Sequence, residues 1–274
     1  MIEKLRHPLS RLFVPVCLIL VWQAAAGILD NPALLPEPAA VGRILAHPGQ
    51  KILITGSLME NTVISLARVM LGFLLASLVS VPLGILMGSI PLVERMMDTL
   101  VEMFRPIPPL AWVPLILAWF GITGVADLFL SLAVHPVPAG IQFSTVVIIF
   151  IGAFFPILIN TVQGVKHIPA EYLESARTLG AGNTALLLKV IVPAVLPMVV
   201  TGLRIGLGIG WMCLVAAEMM PGSNCGLGYL IWYAYELLRA DIIVAGMVVI
   251  GVIGFFMDTG FRLAEQKLSR NNQM

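Results

Sequence analysis

Long apolar runs, broken by short polar intervals, dominate the chain: residues 12–29, 63–89, 106–121, 143–163, 193–217 and 241–260 are almost continuously apolar. About 20 apolar residues cross a bilayer as a helix, so the pattern predicts about six transmembrane helices, the third of them short. Continuous rather than alternating apolarity argues against a β-barrel, because backbone amides in lipid must then be satisfied within each helix. Segment 30–62, with Pro32, Pro36, Pro38, Pro48 and Gly49, reads as loop plus short helix. One interval fits neither pattern: residues 169–193 form a polar, helix-patterned island.

Pro169 suits the first turn of a helix, where its missing N–H would be unpaired anyway, and Glu171 and Glu174 favour the positive helix end. Gly180 and Gly182 can close that helix. Tyr172, Ala176 and Leu179, at i, i+4 and i+7, share one face, while Glu171, Glu174, Ser175 and Thr178 are polar. A second short helix is expected to start with Asn183 as N-cap and to end before Pro193, which opens the next span. The product is an elbow of two helices on the membrane surface. Patterning alone leaves two roles open, an anchor for the loop or a docking element for a groove on a partner.

Composition sharpens the class. The chain is 59% hydrophobic and 11% charged, with a mean hydropathy of +0.98, whereas soluble domains carry about 25% charged residues. An all-α integral membrane protein follows, one domain over residues 1–274. A net charge of +1 without a basic block gives no sign of nucleic-acid binding.

The distribution of charge says more than its sum. With the N-terminus inside, cytoplasmic segments hold eleven cations: Lys4, Arg6, Arg11, Arg95, Arg105, Lys166, Arg177, Lys189, Arg262, Lys267 and Arg270. The other side holds Arg43, Lys51 and Arg239, with Arg68 and Arg204 inside or at the edge of helices. This positive-inside bias predicts cytoplasmic N- and C-termini and a cytoplasmic loop at 164–192. Trp22 and Gln23 inside the first apolar run, and Asp30-Asn31-Pro32 after it, favour a retained helix over a cleaved signal. Cys17, Cys213 and Cys225, and His7, His47, His135 and His167, lack metal-ligand spacing, so no metal or catalytic residue is expected.

Glu174-Ser175-Ala176, Gly180 and Val190-Ile191-Val192-Pro193 together resemble the signature loop of permease subunits in binding-protein-dependent ABC importers. Ser175 stands where that signature usually has Ala. Leu34-Leu35-Pro36-Glu37-Pro38, the run from Arg105 to Leu115 (R-P-I-P-P-L-A-W-V-P-L), Phe154-Phe155-Pro156-Ile157 and Gly226-Leu227-Gly228 resemble the nitrate, sulfonate and taurine branch. Nearly the whole chain is covered. The atypical 122–142 interval departs from it: residues 125–142 lengthen a connection that is short in the branch, and a re-entrant or interfacial insertion is expected there.

The resemblance implies a type I importer fold in a bacterial or archaeal cytoplasmic membrane. It implies partners too: ABC ATPase subunits, an extracytoplasmic solute-binding protein and a second permease copy, in a homodimer surrounded by lipid. ATP and Mg would belong to the ATPase; no G-x-x-x-x-G-K-[ST] run is present in this chain, which is expected to bind no cofactor and to catalyse no reaction. Glu171, Tyr172, Glu174, Ser175, Ala176, Arg177, Leu179, Gly180 and Pro193 would couple to the ATPase. The solute would be small and anionic: nitrate, a sulfonate, taurine or similar.

Candidates for the translocation path are Pro108, Trp112, Arg204, Trp211 and Glu218. Prolines at 106–114 remove backbone donors, and irregular backbone at membrane depth is tolerated only when buried in protein or lining a cavity. Arg204 steers an anion, snorkels to the interface or enters an ion pair; it lies too far from Glu218 along one helix to pair with it. Glu218, close to Pro221 and Gly222, is expected at the interface, with a gate contact as the alternative. Gly84, Gly88, Gly202, Gly206 and Gly210 have the spacing of close helix packing. The rival functions are an ion-coupled secondary transporter, which needs exchangeable intramembrane carboxylates, and a membrane enzyme, which needs clustered His, Asp or Glu.

Overall fold

The computed structural model describes residues 2–120, 141–220 and 222–271; most of the expected 122–142 insertion therefore lies outside the described residues. Helix α1 spans Ile2–Leu29, α2 Pro38–Ala46, α3 Leu58–Ser89 and α4 Pro91–Phe104. A 3-10 turn at Pro109–Trp112 leads into α5, Val113–Phe120. Helix α6 is Phe143–Lys166, α7 Ala170–Thr178 and α8 Asn183–Leu186; a π-helical turn at Leu187–Ile191 then joins α9, Val192–Glu218. Helices α10, Leu227–Glu236, and α11, Ala240–Asn271, complete the order. The one departure from an all-helical chain among the described residues is a small antiparallel ribbon, β1 (Lys51–Leu53) with β2 (Gly56–Ser57).

Among the described residues four helices are long and apolar enough to cross a membrane: Leu58–Ser89, Phe143–Lys166, Asn183–Glu218 and Ala240–Lys267. A fifth crossing is available only as a broken one, α4 meeting the Pro109–Phe120 segment at 84°. The apolar part of α1, Phe13–Leu29, is shorter than these, so the structure supports four to five full-length spans plus a short apolar helix where six spans are expected. The break has a local cause. Pro106, Pro108 and Pro109 remove three backbone donors within four residues, and Pro108, which precedes Pro109, leaves the helical region with ψ at 134°.

Helix α6 is the axis of the bundle, held between α3 and α9. Small residues bring the three backbones together: a Cβ at Gly84 would lie 2.7 Å from Thr161, at Gly88 2.5 Å from Val165 and at Gly206 2.7 Å from Ile157. The expected small-residue faces are therefore packing faces. Ile149, Ala153 and Ile157 of α6, Val69 and Phe73 of α3, and Leu207, Trp211 and Leu214 of α9 form the main core. At the start of α3, Ser57 Oγ accepts from the Glu60 N–H and the Glu60 carboxylate from the Ser57 N–H. This reciprocal cap satisfies two amides that the helix end leaves over.

Candidate functional site

The island folds as a short exposed helix followed by a long continuous one. Pro169 is the N-cap of α7 rather than part of its first turn, and the helix closes at Gly180, whose φ is +83. Gly180 donates to the Arg177 carbonyl (2.9 Å) and Ala181 to that of Ala176 (3.0 Å), the two bonds of a Schellman closure. The expected apolar stripe divides. Ala176 and Leu173 pack onto a cluster that includes Val165, Leu186 and Ile191, while Tyr172 and Leu179 are 63% and 88% exposed. Glu171, Glu174, Ser175 and Arg177 are all on the surface. The helix is thus seated on its own chain by two side chains and offers the rest outward.

The second arm differs from expectation. Gly182, not Asn183, is the N-cap of α8, and no side chain caps it. The helix then runs on through Pro193 as one 36-residue rod, Asn183–Glu218. The π-helical turn makes this possible. A proline inside an α-helix removes one bond and crowds the carbonyl four residues back; here the Val192 N–H reaches back to Leu187, and the wider turn lies just ahead of Pro193.

At the far end of that rod lies a buried polar cluster. Glu218 and Arg68 are both fully buried and form an ion pair at 2.8 Å between Nη1 and Oε1. Ser65 Oγ donates to the same carboxylate, and the Gly228 N–H donates to it at 2.9 Å. Arg68 also donates to the Cys225 carbonyl (2.9 Å), and the Gly226 N–H to Asn61 Oδ1 (2.7 Å). Glu218, at the end of its span, is buried within the protein and ties α3, the end of α9 and the turn before α10 into one network. A charge in such a place is tolerated only when paired and fully hydrogen-bonded. Sequence reasoning noted Arg68 but assigned it nothing. The available signal was Arg68 inside the 63–89 apolar run and Glu218 directly after the 193–217 run.

The other path candidates are placed as follows. Arg204 pairs with Glu265 (3.2 Å) and Asp258 (3.7 Å) of α11, the ion-pair alternative, and Thr201 donates to the same Glu265. Trp211 is buried between α9 and α11, its Nε1 donating to the Ile250 carbonyl. Pro108 lies exposed at the α4–α5 break, and Trp112 packs on Phe104 with ring centroids 5.8 Å apart. The break also borders a cleft of about 330 Å³ between Arg105, Pro109, α6 and α9. The geometry does not gather the five candidates into one lining; Arg204, Trp211 and Glu218 are engaged in holding helices together.

Sequence comparison decides what this assembly belongs to. The profile of the binding-protein-dependent transport system inner membrane component family matches residues 80–270. The chain belongs to that family. It is 51% identical to a putative ABC transporter permease of Methanocaldococcus jannaschii, over 94% of this chain and 90% of the relative. To the taurine transport permease of Escherichia coli it is 35% identical, over 97% and 92%. To a bicarbonate transport permease of Synechococcus elongatus it is 33% identical, over 98% and 94%. Other relatives carry aliphatic-sulfonate and nitrate permease names. In fold it is similar to a chain of the MetNI methionine ABC transporter, with a TM-score of 0.62 at 17% identity over 77% of this chain and 95% of that one.

The chain is therefore a multi-pass ABC importer permease of the nitrate, sulfonate and taurine branch. A subunit of this kind is not itself catalytic. The family's description as binding-protein-dependent implies an ATPase and a solute-binding protein as partners.

Proposed function

We propose that this permease carries a small oxyanion or sulfonate inward, with residues 1–274 as one membrane domain and 164–192 as its cytoplasmic coupling loop. Positive-inside charge bias supports cytoplasmic termini. Two copies line the path, and ATP and Mg stay with the partner ATPase, this chain having no P-loop sequence. Glu171, Tyr172, Glu174, Ser175, Arg177 and Leu179 meet the ATPase, Ala176 seats the helix, Gly180 closes it and Pro193 marks the start of the rod. Of the path candidates, Pro108 and Trp112 at the helix break are the strongest, Arg204, Trp211 and Glu218 acting by holding their helices in register. The anionic class rests on relatives named for taurine, sulfonates, bicarbonate and nitrate.

The observation that carries the reading is α7 itself: a helix with no buried residue, closed by its own glycine, leading into the 36-residue rod. An isolated nine-residue helix is marginal in water, and exposure of Tyr172 and Leu179 is explained by a partner groove. Closure of that partner on ATP then tilts the rod as a body. Gly180→Pro forces φ to about −65° and removes the bond to Arg177; Glu174→Lys inverts a charge on the outward face. Both variants are expected to remain folded in the membrane and to lose the ATPase on co-purification. Full ATPase retention with undiminished uptake in both would sink the reading.

A further inference from the structure

A second polar feature of the apolar bundle has no part in coupling or in helix packing. The cleft at the α4–α5 break is walled by Ile107, Phe155, Ile159, Ile205 and Ile209, and Arg105 is the one charged residue lining it among the described residues. Arg68, Arg204 and Arg239 are each ion-paired to a carboxylate. Arg105 has no such partner among the described residues, although Glu102 lies one helical turn before it. The amide of Asn160, also in the wall, is committed to the Pro156 carbonyl at 2.8 Å.

The backbone there is equally poor in donors. Pro106, Pro108 and Pro109 have no N–H, so the break cannot form the nest of amides that commonly holds an anion. Recognition of negative charge falls to the guanidinium. Trp112, close by in sequence, packs into the neighbouring apolar cluster of Val113 and Ile148 instead of lining the cleft, so the guanidinium is the charged donor the cleft offers among the described residues.

We propose that this cleft is an anion-holding subsite of the permease, with Arg105 supplying the charge, for a solute carrying a planar or tetrahedral oxyanion group. The inference rests on the importer reading. A single cation in an apolar wall suits a transit site: it holds an oxyanion by paired N–H bonds yet offers too few contacts to retain it, as conduction requires. A lipid phosphate offers the same chemistry at the same depth, and the test must separate the two.

The purified permease–ATPase complex, in neutral detergent, is treated with phenylglyoxal, and labelling of each arginine is followed by mass spectrometry. Nitrate, taurine and bicarbonate are added one at a time, with chloride as the reference anion. At least one of them is expected to slow Arg105 labelling five-fold or more while Arg95 and Arg177 are unaffected. Arg105 labelling as fast in all three as in chloride overturns the subsite, as does protection that appears with phosphatidylglycerol alone. In proteoliposomes supplied with the binding protein, Arg105→Gln is expected to cut ATP-driven uptake of the protecting anion at least ten-fold, and Arg105→Lys to restore part of it, with the ATPase still co-purifying. Wild-type uptake by Arg105→Gln overturns the proposal and leaves the importer reading intact. Absence of ATP-driven uptake by the wild-type complex would instead count against that reading.

Discussion

The two ends of the Asn183–Glu218 rod are built on opposite principles. At the elbow end the defining bonds are local: the Schellman pair joins residues 176 to 181, and the side chains beyond it are exposed. At the other end the bonds that tie α3 to the rod and to the turn after it are long-range; Arg68 and Glu218 are 150 residues apart in sequence and both fully buried. The elbow can therefore be altered without disturbing the bundle, as suits a surface that binds and releases a partner. The Arg68–Glu218 end cannot, because its charges depend wholly on each other. On the proposed coupling, a tilt imposed at the elbow would be delivered to a turn, residues 222–228, that is clamped to α3.

Breaking the clamp gives the largest expected effect. Arg68→Met leaves the Glu218 carboxylate buried with serine and amide donors but no cation, a loss of about 3–5 kcal/mol. The unfolding midpoint of the solubilised complex is expected to fall sharply, and Arg68→Met combined with Glu218→Gln to recover part of the loss. An unchanged midpoint in the single variant would mean that the pair does not hold this end.

Close behind comes Gly228→Ala. Its Cβ would lie 2.3 Å from the Val215 carbonyl oxygen, which belongs to helix backbone and cannot swing away. Overpacking of this kind costs about 1–3 kcal/mol, and the same midpoint reads it. Wild-type stability would show that α10 shifts freely against α9, contrary to a clamped turn.

The same contrast explains what could be read without a structure. The main spans were legible because a continuous apolar run longer than a bilayer has one stable outcome, and the island because Pro169, Gly180 and Pro193 act locally. The break before α5 was visible as prolines, but its 84° turn and the amphipathic helix α4 were not, since Glu94, Arg95, Asp98 and Glu102 gave only charge. The burial of Glu218 was not legible, because Pro221 and Gly222 signal only a chain turn. Nothing local to Glu218 reports that Arg68 and Ser65 wait across the bundle. The division of Tyr172 and Leu179 from Ala176 likewise depends on where Leu186 and Ile191 come to rest.

Leu179→Ala tests the elbow on the side proposed to face the partner. Leu179 is 88% exposed and contributes little to the bundle, so a stability change within about 0.5 kcal/mol is expected. Retention of the ATPase should fall several-fold, as for an apolar anchor of an interface, about 1 kcal/mol or more. Leu173→Ala should show the converse ordering, with a measurable loss of stability because Leu173 seats the helix. Equal effects of the two substitutions on both measurements would erase the distinction between seat and face.

The smallest effect is the most exacting check on the clamp. Arg239 and Asp241 form a two-bonded pair at least as well aligned as Arg68 with Glu218, with Nε to Oδ1 at 2.9 Å and Nη2 to Oδ2 at 2.7 Å. The Arg239 side chain, however, is 47% exposed, against 0% for Arg68. Water still reaches the Asp241 carboxylate that would be left behind, 21% exposed against 0% for Glu218, and salt screens the pair, so Arg239→Gln is expected to cost at most about 1 kcal/mol, less at high ionic strength. If burial rather than bond geometry sets the strength of the clamp, Arg239→Gln must move the unfolding midpoint several-fold less than Arg68→Met. A comparable shift in both would assign the effect to the paired hydrogen bonds, and the two ends of the rod would no longer differ in kind.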